Sequence, residues 1–308
     1  MTEFPLGARP SYRIGRVQAR RIVEWNGQLF RRADAYGQLE LNAWEAERDW
    51  LDPRFWNPKS DGVTLTIQSF LLETPSQVIL VDTGIGNGKS RPAAPPFSNL
   101  ETPFLDQLRA TGITPDDVDI VVLTHLHSDH VGWNTTWVGD AWVPTFRHAR
   151  YLIPRADYDF FNPAASDTEH VDADMGLVFT DSIDPILNAG QGEFWDDALN
   201  LATGIDLHRV PGHTPGSGVL TVRSDDHSAQ FVGDLLSTPM MVNHPDLCAH
   251  YGEHYVDVNP GQIRAARRDL LTRAARRGTR LVPAHFNIDA GGYITHEPNG
   301  FHFVDTDA

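Results

Sequence analysis

A chain of 308 residues, 41% of them hydrophobic, can bury roughly three quarters of its unfolded surface in one large domain or two small ones, which excludes disorder and fibrous architecture. Its 25 basic and 41 acidic side chains leave a formal charge of −16, a field that repels phosphate backbones and excludes general nucleic-acid binding. The start, MTEFPLGARPSYRIGR, has no apolar core of signal-peptide length, no stretch approaches the ~18 apolar residues of a membrane span, and the single Cys248 cannot close an internal disulfide. A cytoplasmic protein with no membrane partner is therefore expected.

Trp25, Trp44, Trp50 and Trp56 crowd into the first sixty residues. They suit an apolar substrate wall, a homodimer contact, or ordinary packing of an N-terminal extension, residues 1–62, on a single domain spanning 1–308. Apolar, β-branched runs bounded by turn residues then predict strands at Val63–Leu72, Val78–Val81, Asp119–Thr124, Arg150–Ile153, Ile205–Val210, Val219–Val222, Gln230–Val232 and Arg280–Val282. Thr102-Pro103 opens a helix stopped by Gly112, and Asn259-Pro260 opens another that reaches Gly278. Mixed strands and helices without a repeat imply an α/β sandwich with helices outside the sheets. In the second helix Ile263, Ala266, Leu270, Leu271 and Ala274 form one apolar stripe, so its six arginines are expected mainly on the solvated side. The Gly- and Pro-rich loop Gly84 to Asn99 is expected to act as a lid or substrate wall, and the acidic stretch Asp167 to Asp184 as a solvated face.

Histidine, at fourteen copies, stands out. Thr124-His125-Leu126-His127-Ser128-Asp129-His130-Val131-Gly132 directly follows an apolar strand. Positions two apart on an extended strand end project to one side, so His125 and His127 can grip one cation, while Asp129 and His130 face a second. Imidazole with some carboxylate suits zinc, and also iron or manganese. Three further segments run from a strand into a polar residue beside glycine or proline, ending at His213, Asp234 and His285, where glycine permits close backbone approach. Together these segments supply seven candidate ligands. The other nine histidines lack ligand spacing and are read as structural, His244 and His250 least firmly because their segment can fold over the site.

From about Val63 to His285 this pattern, with Val78-Ile-Leu-Val-Asp82-Thr83-Gly84 ahead of the histidine motif, resembles the metallo-β-lactamase-fold hydrolase superfamily. The resemblance implies a four-layer αββα sandwich with metals at one edge. It assigns His125, His127 and His213 to a first metal, Asp129, His130 and His285 to a second, and Asp234 to both. Asp82 is expected to orient a ligand histidine, because ligating imidazoles need a partner on the other nitrogen. Two divalent ions, zinc first and iron, manganese or cobalt as alternatives, can share a water and bring its pKa near ~7, so that solvent is the nucleophile, bridging the metals as hydroxide. Asp129 doubles as a proton carrier and, with Asp234, makes the catalytic pair.

Flavodiiron reductases carry a glutamate where this chain has His127, the nuclease branches carry a large second domain or a protruding arm, and the glyoxalase-type thioesterases add a C-terminal helical region. The remaining likeness is to the lactonase, esterase and organophosphate-hydrolase branch. Lactonases of that branch commonly have a tyrosine three residues beyond the bridging aspartate; this chain has Ser237. The stretches Gly233 to Pro245 and Pro283-Ala-His285-Phe286 look closer to the group containing methyl parathion hydrolase. The expected function is hydrolysis of a small apolar carboxylic ester or lactone, with a phosphotriesterase as the rival enzyme and a non-catalytic metal-binding protein as the rival class. Trp133, Trp137, Ser237 and Phe286 are the expected lining of an apolar substrate pocket.

Overall fold

The computed structural model describes residues 11–164, 174–251, 254–298 and 300–305. Two large sheets carry the fold. The first runs in the order Tyr12–Ile14, Val17–Arg31, Gly62–Glu73, Val78–Val81, Ile120–Val122, Arg150–Pro154 and Gly192–Trp195, with Trp56–Asn57 paired on Gly62–Glu73. The second is ordered Ala198–Ala202, Ile205–Arg209, Gly218–Ser224, His227–Phe231, Arg280–Val282, Gly292–Glu297 and Gly300–Asp305. Alternating side chains of both sheets meet in one apolar layer, with Phe70, Ile79, Val81 and Val122 from the first packed with Leu207, Leu220, Phe231 and Val282 from the second. A separate core joins the first sheet to Phe104 and Leu108 of the helix Phe104–Ala110 and to Val178, Ile183 and Ile186. Another joins the second sheet to Ile263, Leu270, Leu271 and Ala274 of the helix Pro260–Arg277. Helix, sheet, sheet, helix: this is the four-layer αββα sandwich expected from the sequence.

Each strand expected from the sequence is present within two residues at either end, Asp119–Thr124 shortening to Ile120–Val122, except that Gln230–Val232 begins three residues earlier, at His227. The long helix keeps its expected caps: Asn259 accepts the Gln262 N–H at 3.0 Å, and Gly278 takes the left-handed conformation at φ 61°. One of its arginines departs from the expected solvated face. Arg267 is fully buried and donates to the carbonyls of Leu235, Pro245 and Leu247 at 2.6–2.9 Å. It lies on the same side as Ile263, Leu270 and Leu271, and three backbone acceptors replace the water its guanidinium gives up.

Residues ahead of Val63 enter the sandwich itself. Val17–Arg31 pairs antiparallel along nearly the whole of Gly62–Glu73, a strand concealed in the sequence by its charged and polar residues. The segment then crosses to the outer face of the second sheet, where Trp44 and Trp56 lie within 5.9 Å of each other, buried with Met240, Met241 and Leu271. Trp50 stacks on Phe303, and Trp25 meets Phe97 edge-on. These are packing contacts.

The Gly84 to Asn99 loop is anchored, because Lys89 and Arg91, both fully buried, pair with Asp181. Arg91 grips that carboxylate through both terminal nitrogens at 2.7 and 2.8 Å. Asp181 and the buried Asp174 thus depart from the solvated face expected of the acidic stretch, of which residues 167–173 lie outside the described residues. Among the described residues no helix is long and apolar enough to cross a membrane.

Candidate metal centre

Strand direction gathers the site. Val78–Val81, Ile120–Val122 and Arg150–Pro154 are parallel and in register, Val81 beside Val122 and Val122 beside Leu152, so the residues that follow each strand emerge along one edge. In the second sheet His227–Phe231 and Arg280–Val282 are also parallel, with Phe231 opposite Val282. Ile205–Arg209 points the same way, being separated from His227–Phe231 by one antiparallel strand. Asp82, His125 to His130, His213, Asp234 and His285 all follow carboxyl ends of these strands, the edge where α/β sheets place ligands. Backbone crowding there demands glycine. At Gly212 (φ 147°) an added Cβ would stand 2.6 Å from the Ile263 backbone, and at Gly233 (φ 51°) 3.1 Å from the Thr124 hydroxyl.

All seven candidate ligands converge. His127 Nδ1 lies 3.1 Å from His125 Nε2 and 3.0 Å from His213 Nε2. On the other side His285 Nε2 is 3.0 Å from Asp234 Oδ1 and 3.7 Å from Asp129 Oδ2, and His130 Nε2 is 3.4 Å from Asp234 Oδ1 and 3.6 Å from Asp129 Oδ2. Asp234 Oδ2 also reaches within 3.4 Å of His213 Nε2, which places this carboxylate between the two groups.

The outer nitrogens are held from behind. His130 Nδ1 meets Asp82 at 2.9 Å, and the other Asp82 oxygen accepts the Thr124 N–H at 2.7 Å. Asp82 itself is held at φ 56°, an uncommon conformation for a residue with a Cβ. His213 Nδ1 meets Asp257 at 2.9 Å, His285 Nδ1 donates to the Thr66 carbonyl at 3.0 Å, and His125 Nδ1 lies 3.1 Å from the Thr124 hydroxyl. Sequence reasoning named Asp82 and missed Asp257 and Thr66. Asp257 carries no motif; it stands two residues ahead of the Asn259 cap and comes to His213 only through the tertiary fold.

Burial, with neighbouring imidazoles, pushes His125 well below its ordinary value and His127 down to about 3, leaving bare nitrogen lone pairs. Burial also opposes charge on His130, yet Asp129, Asp234 and Asp82 together push it up to about 10. Asp234 is held well below the carboxylate range by His285, His130 and His213 in spite of its burial. A carboxylate field that favours a proton among imidazoles also favours a cation there. His130 Nε2 and Asp234 Oδ1 are buried without a hydrogen-bond partner, which is costly unless something coordinates them. The donors form three clusters: His125, His127 and His213; His125, His130 and Asp234; and Asp129, His130 and His285, each with its atoms within 4.8 Å. Nitrogen and carboxylate donors in this arrangement fit divalent metal.

The expected pocket residues are placed differently. Trp133 is buried in the core beneath the first sheet, stacked on Phe104, its indole N–H donated to Glu24 at 2.6 Å. Phe286 is fully buried between Phe55 and Phe303. Trp137 is 55% exposed on the hairpin Thr135–Val138 with Ala141–Pro144, against Trp142. Sequence proximity to a ligand misled here, because adjacent residues leave a turn in different directions. Ser237 is half-buried and hydrogen-bonded to the buried Tyr36 hydroxyl, which itself feels the charges of Asp257 and Asp234. Phe161 stands 5.5 Å from the His127 ring. Tyr36 and Phe161 gave no signal in the sequence.

The family model of the metallo-beta-lactamase superfamily matches residues 63–285. The chain belongs to the metallo-beta-lactamase superfamily. It is 26% identical over 173 residues to an N-acyl homoserine lactonase of Bacillus sp, covering 52% of this chain and 60% of that protein. It is 32% identical over 83 residues to N-acyl homoserine lactonase AiiB of Agrobacterium fabrum, covering 23% and 29%. The chain thus spans three fifths or less of the length of these relatives. Solved structures share the fold over nearly full length. The hydrolase AbOPH superposes with a TM-score of 0.79 at 19% identity, covering 97% of both chains, and AidC, a dizinc quorum-quenching lactonase in complex with a product, with 0.75 at 20%, covering 98% of both.

Proposed function

We propose that this protein is a metal-dependent hydrolase that opens a lactone or cleaves a carboxylic ester at a dinuclear centre. The observation that carries the reading is the sharing of Asp234 between the His125, His127, His213 group and the Asp129, His130, His285 group. His125, His127 and His213 would hold one divalent ion, Asp129, His130 and His285 the other, with Asp234 available to both, zinc being the first candidate. Such ions supply Lewis-acid polarisation of the ester carbonyl and acidify water at neutral pH. The chain's own residues do the rest. Asp82, Asp257, Thr66 and Thr124 keep four imidazoles with their Nε2 atoms facing inward. Asp129, whose side chain is 18% exposed against 9% for Asp234, can take the proton of the attacking water onto its carboxyl oxygen and pass it to the departing alkoxide. Phe161 gives the imidazoles an apolar neighbour, suited to the hydrocarbon part of an acyl substrate. Support for lactones comes from the partial likeness to N-acyl homoserine lactonases.

The test is a hydrolysis screen of zinc-loaded protein on lactones, aryl esters and phosphotriesters, beside metal-free protein. Lactone or ester turnover that disappears on chelation and returns with zinc is expected, and Asp234→Ala should abolish nearly all of it. Fully loaded protein that turns over only phosphotriesters, or nothing, overturns the reading.

A further inference from the structure

One imidazole of the cluster differs from the rest. His125, His130, His213 and His285 are each oriented by a hydrogen bond on the outward nitrogen. His127 presents Nδ1 inward, and among the described residues its Nε2 makes no hydrogen bond. An imidazole with no such tether relies on its backbone and on packing for its direction. Both come from the short helix Arg155–Phe161. Phe161 packs on the ring at 5.5 Å, and Asp157 holds the backbone.

Asp157 is fully buried and forms no ion pair among the described residues. One of its oxygens accepts the N–H of Leu126, the residue between His125 and His127, at 3.1 Å, and the hydroxyl of Thr214, the residue after His213, at 2.9 Å. The other accepts the Gly216 N–H at 2.5 Å. The two N–H groups can only donate and they fall on different oxygens, so both oxygens must accept, as a carboxylate does. An asparagine would turn an NH2 toward at least one donor. Burying a charge without a counter-ion is costly, and the burial pushes its carboxyl up to about 6. What that cost secures is a strut between the two loops that bring His127 Nδ1 to 3.0 Å from His213 Nε2. Ligand constellations of this kind tolerate about 0.5 Å of error. We infer that Asp157 is a positioning residue of the three-imidazole site, setting the direction of His127 and its separation from His213 through the Leu126, Thr214 and Gly216 backbone. The inference rests on the proposed metal centre.

The test compares wild type, Asp157→Asn and Thr214→Val in metal-free and loaded form, measuring unfolding by urea, zinc affinity by chelator competition, and the visible spectrum of the Co(II)-loaded protein. Asp157→Asn should weaken zinc binding by about 10–100-fold, as outer partners of metal ligands do, and change the Co(II) spectrum. Thr214→Val removes one of the three contacts and should weaken zinc binding less, by about 3–10-fold on the same scale; it decides the matter if Asp157→Asn does not fold. Variants that lose stability yet bind zinc within twofold of wild type with an unchanged Co(II) spectrum overturn the inference and leave the metal reading intact. A wild-type protein that binds no zinc overturns both.

Discussion

Raising the pH from 5 to 8 should destabilise this protein through one buried carboxyl that is not part of the imidazole cluster. Glu24, on the strand Val17–Arg31, is 1% exposed and ties that strand to the turn following Asp82. It accepts the N–H groups of Ile85 and Gly86 at 2.5 and 3.0 Å, the Trp133 indole at 2.6 Å and the Thr102 hydroxyl at 3.2 Å. Burial raises its pKa from 4.5 to about 7 against the pull of those four donors. The folded chain therefore still holds the proton at pH values where the unfolded chain has released it. With the unfolded state binding fewer protons, stability falls as pH rises, by up to about 1.4 kcal/mol per pH unit. Below 4.5 both states are protonated and the effect vanishes; above about 7 it is complete, at about 3 kcal/mol. Glu24→Gln keeps the shape without the titration. Urea unfolding of wild type and Glu24→Gln at several pH values should show the wild-type advantage shrinking by about 2–3 kcal/mol between pH 5 and 8. A difference flat to within about 0.5 kcal/mol, roughly the limit set by extrapolation, refutes the argument that desolvation outweighs the donors.

Asp257→Ala leaves the His213 Nδ1 without its acceptor at 2.9 Å and should weaken zinc binding about 100-fold, with Asp257→Asn nearer tenfold because a neutral acceptor remains; chelator competition reads both, and an unchanged affinity refutes the role. Asp181→Asn strands the fully buried Lys89 and Arg91 without their shared carboxylate and should cost about 3–5 kcal/mol in urea unfolding. A loss below about 1 kcal/mol, the value of a surface pair, would mean that the two cations are satisfied otherwise.

The imidazole centre and its supports were unequally legible in the sequence. His125, His127, Asp129 and His130 were legible because they fall within six residues directly after one apolar strand, so the local chain brings them together. His213, Asp234 and His285 were legible from a repeated local form, an apolar strand running into glycine or proline beside a polar residue. Asp82 was legible through the resemblance of its strand and turn to those of the superfamily. Asp257, Thr66, Asp157, Tyr36 and Phe161 were not, because each works across more than thirty residues of intervening chain through a contact that no spacing encodes. Asp157 looks like any first-turn carboxylate of a helix, and only the docking of that helix on two loops makes it a strut.

Local physics in the chain by itself determined the eight strands expected from Val63 onward and the capped helix Pro260–Arg277, since apolar periodicity and caps depend on neighbours within a few residues; the four-layer order followed from the resemblance to the superfamily. Tertiary structure alone decided that Val17–Arg31 completes a sheet and that Trp133 and Phe286 face core instead of substrate. It likewise turned Arg267 and Asp181 inward from stretches that read as solvated. In each case the deciding quantity is which buried partner stands opposite, a relation between distant segments that exists only after the two sheets have packed.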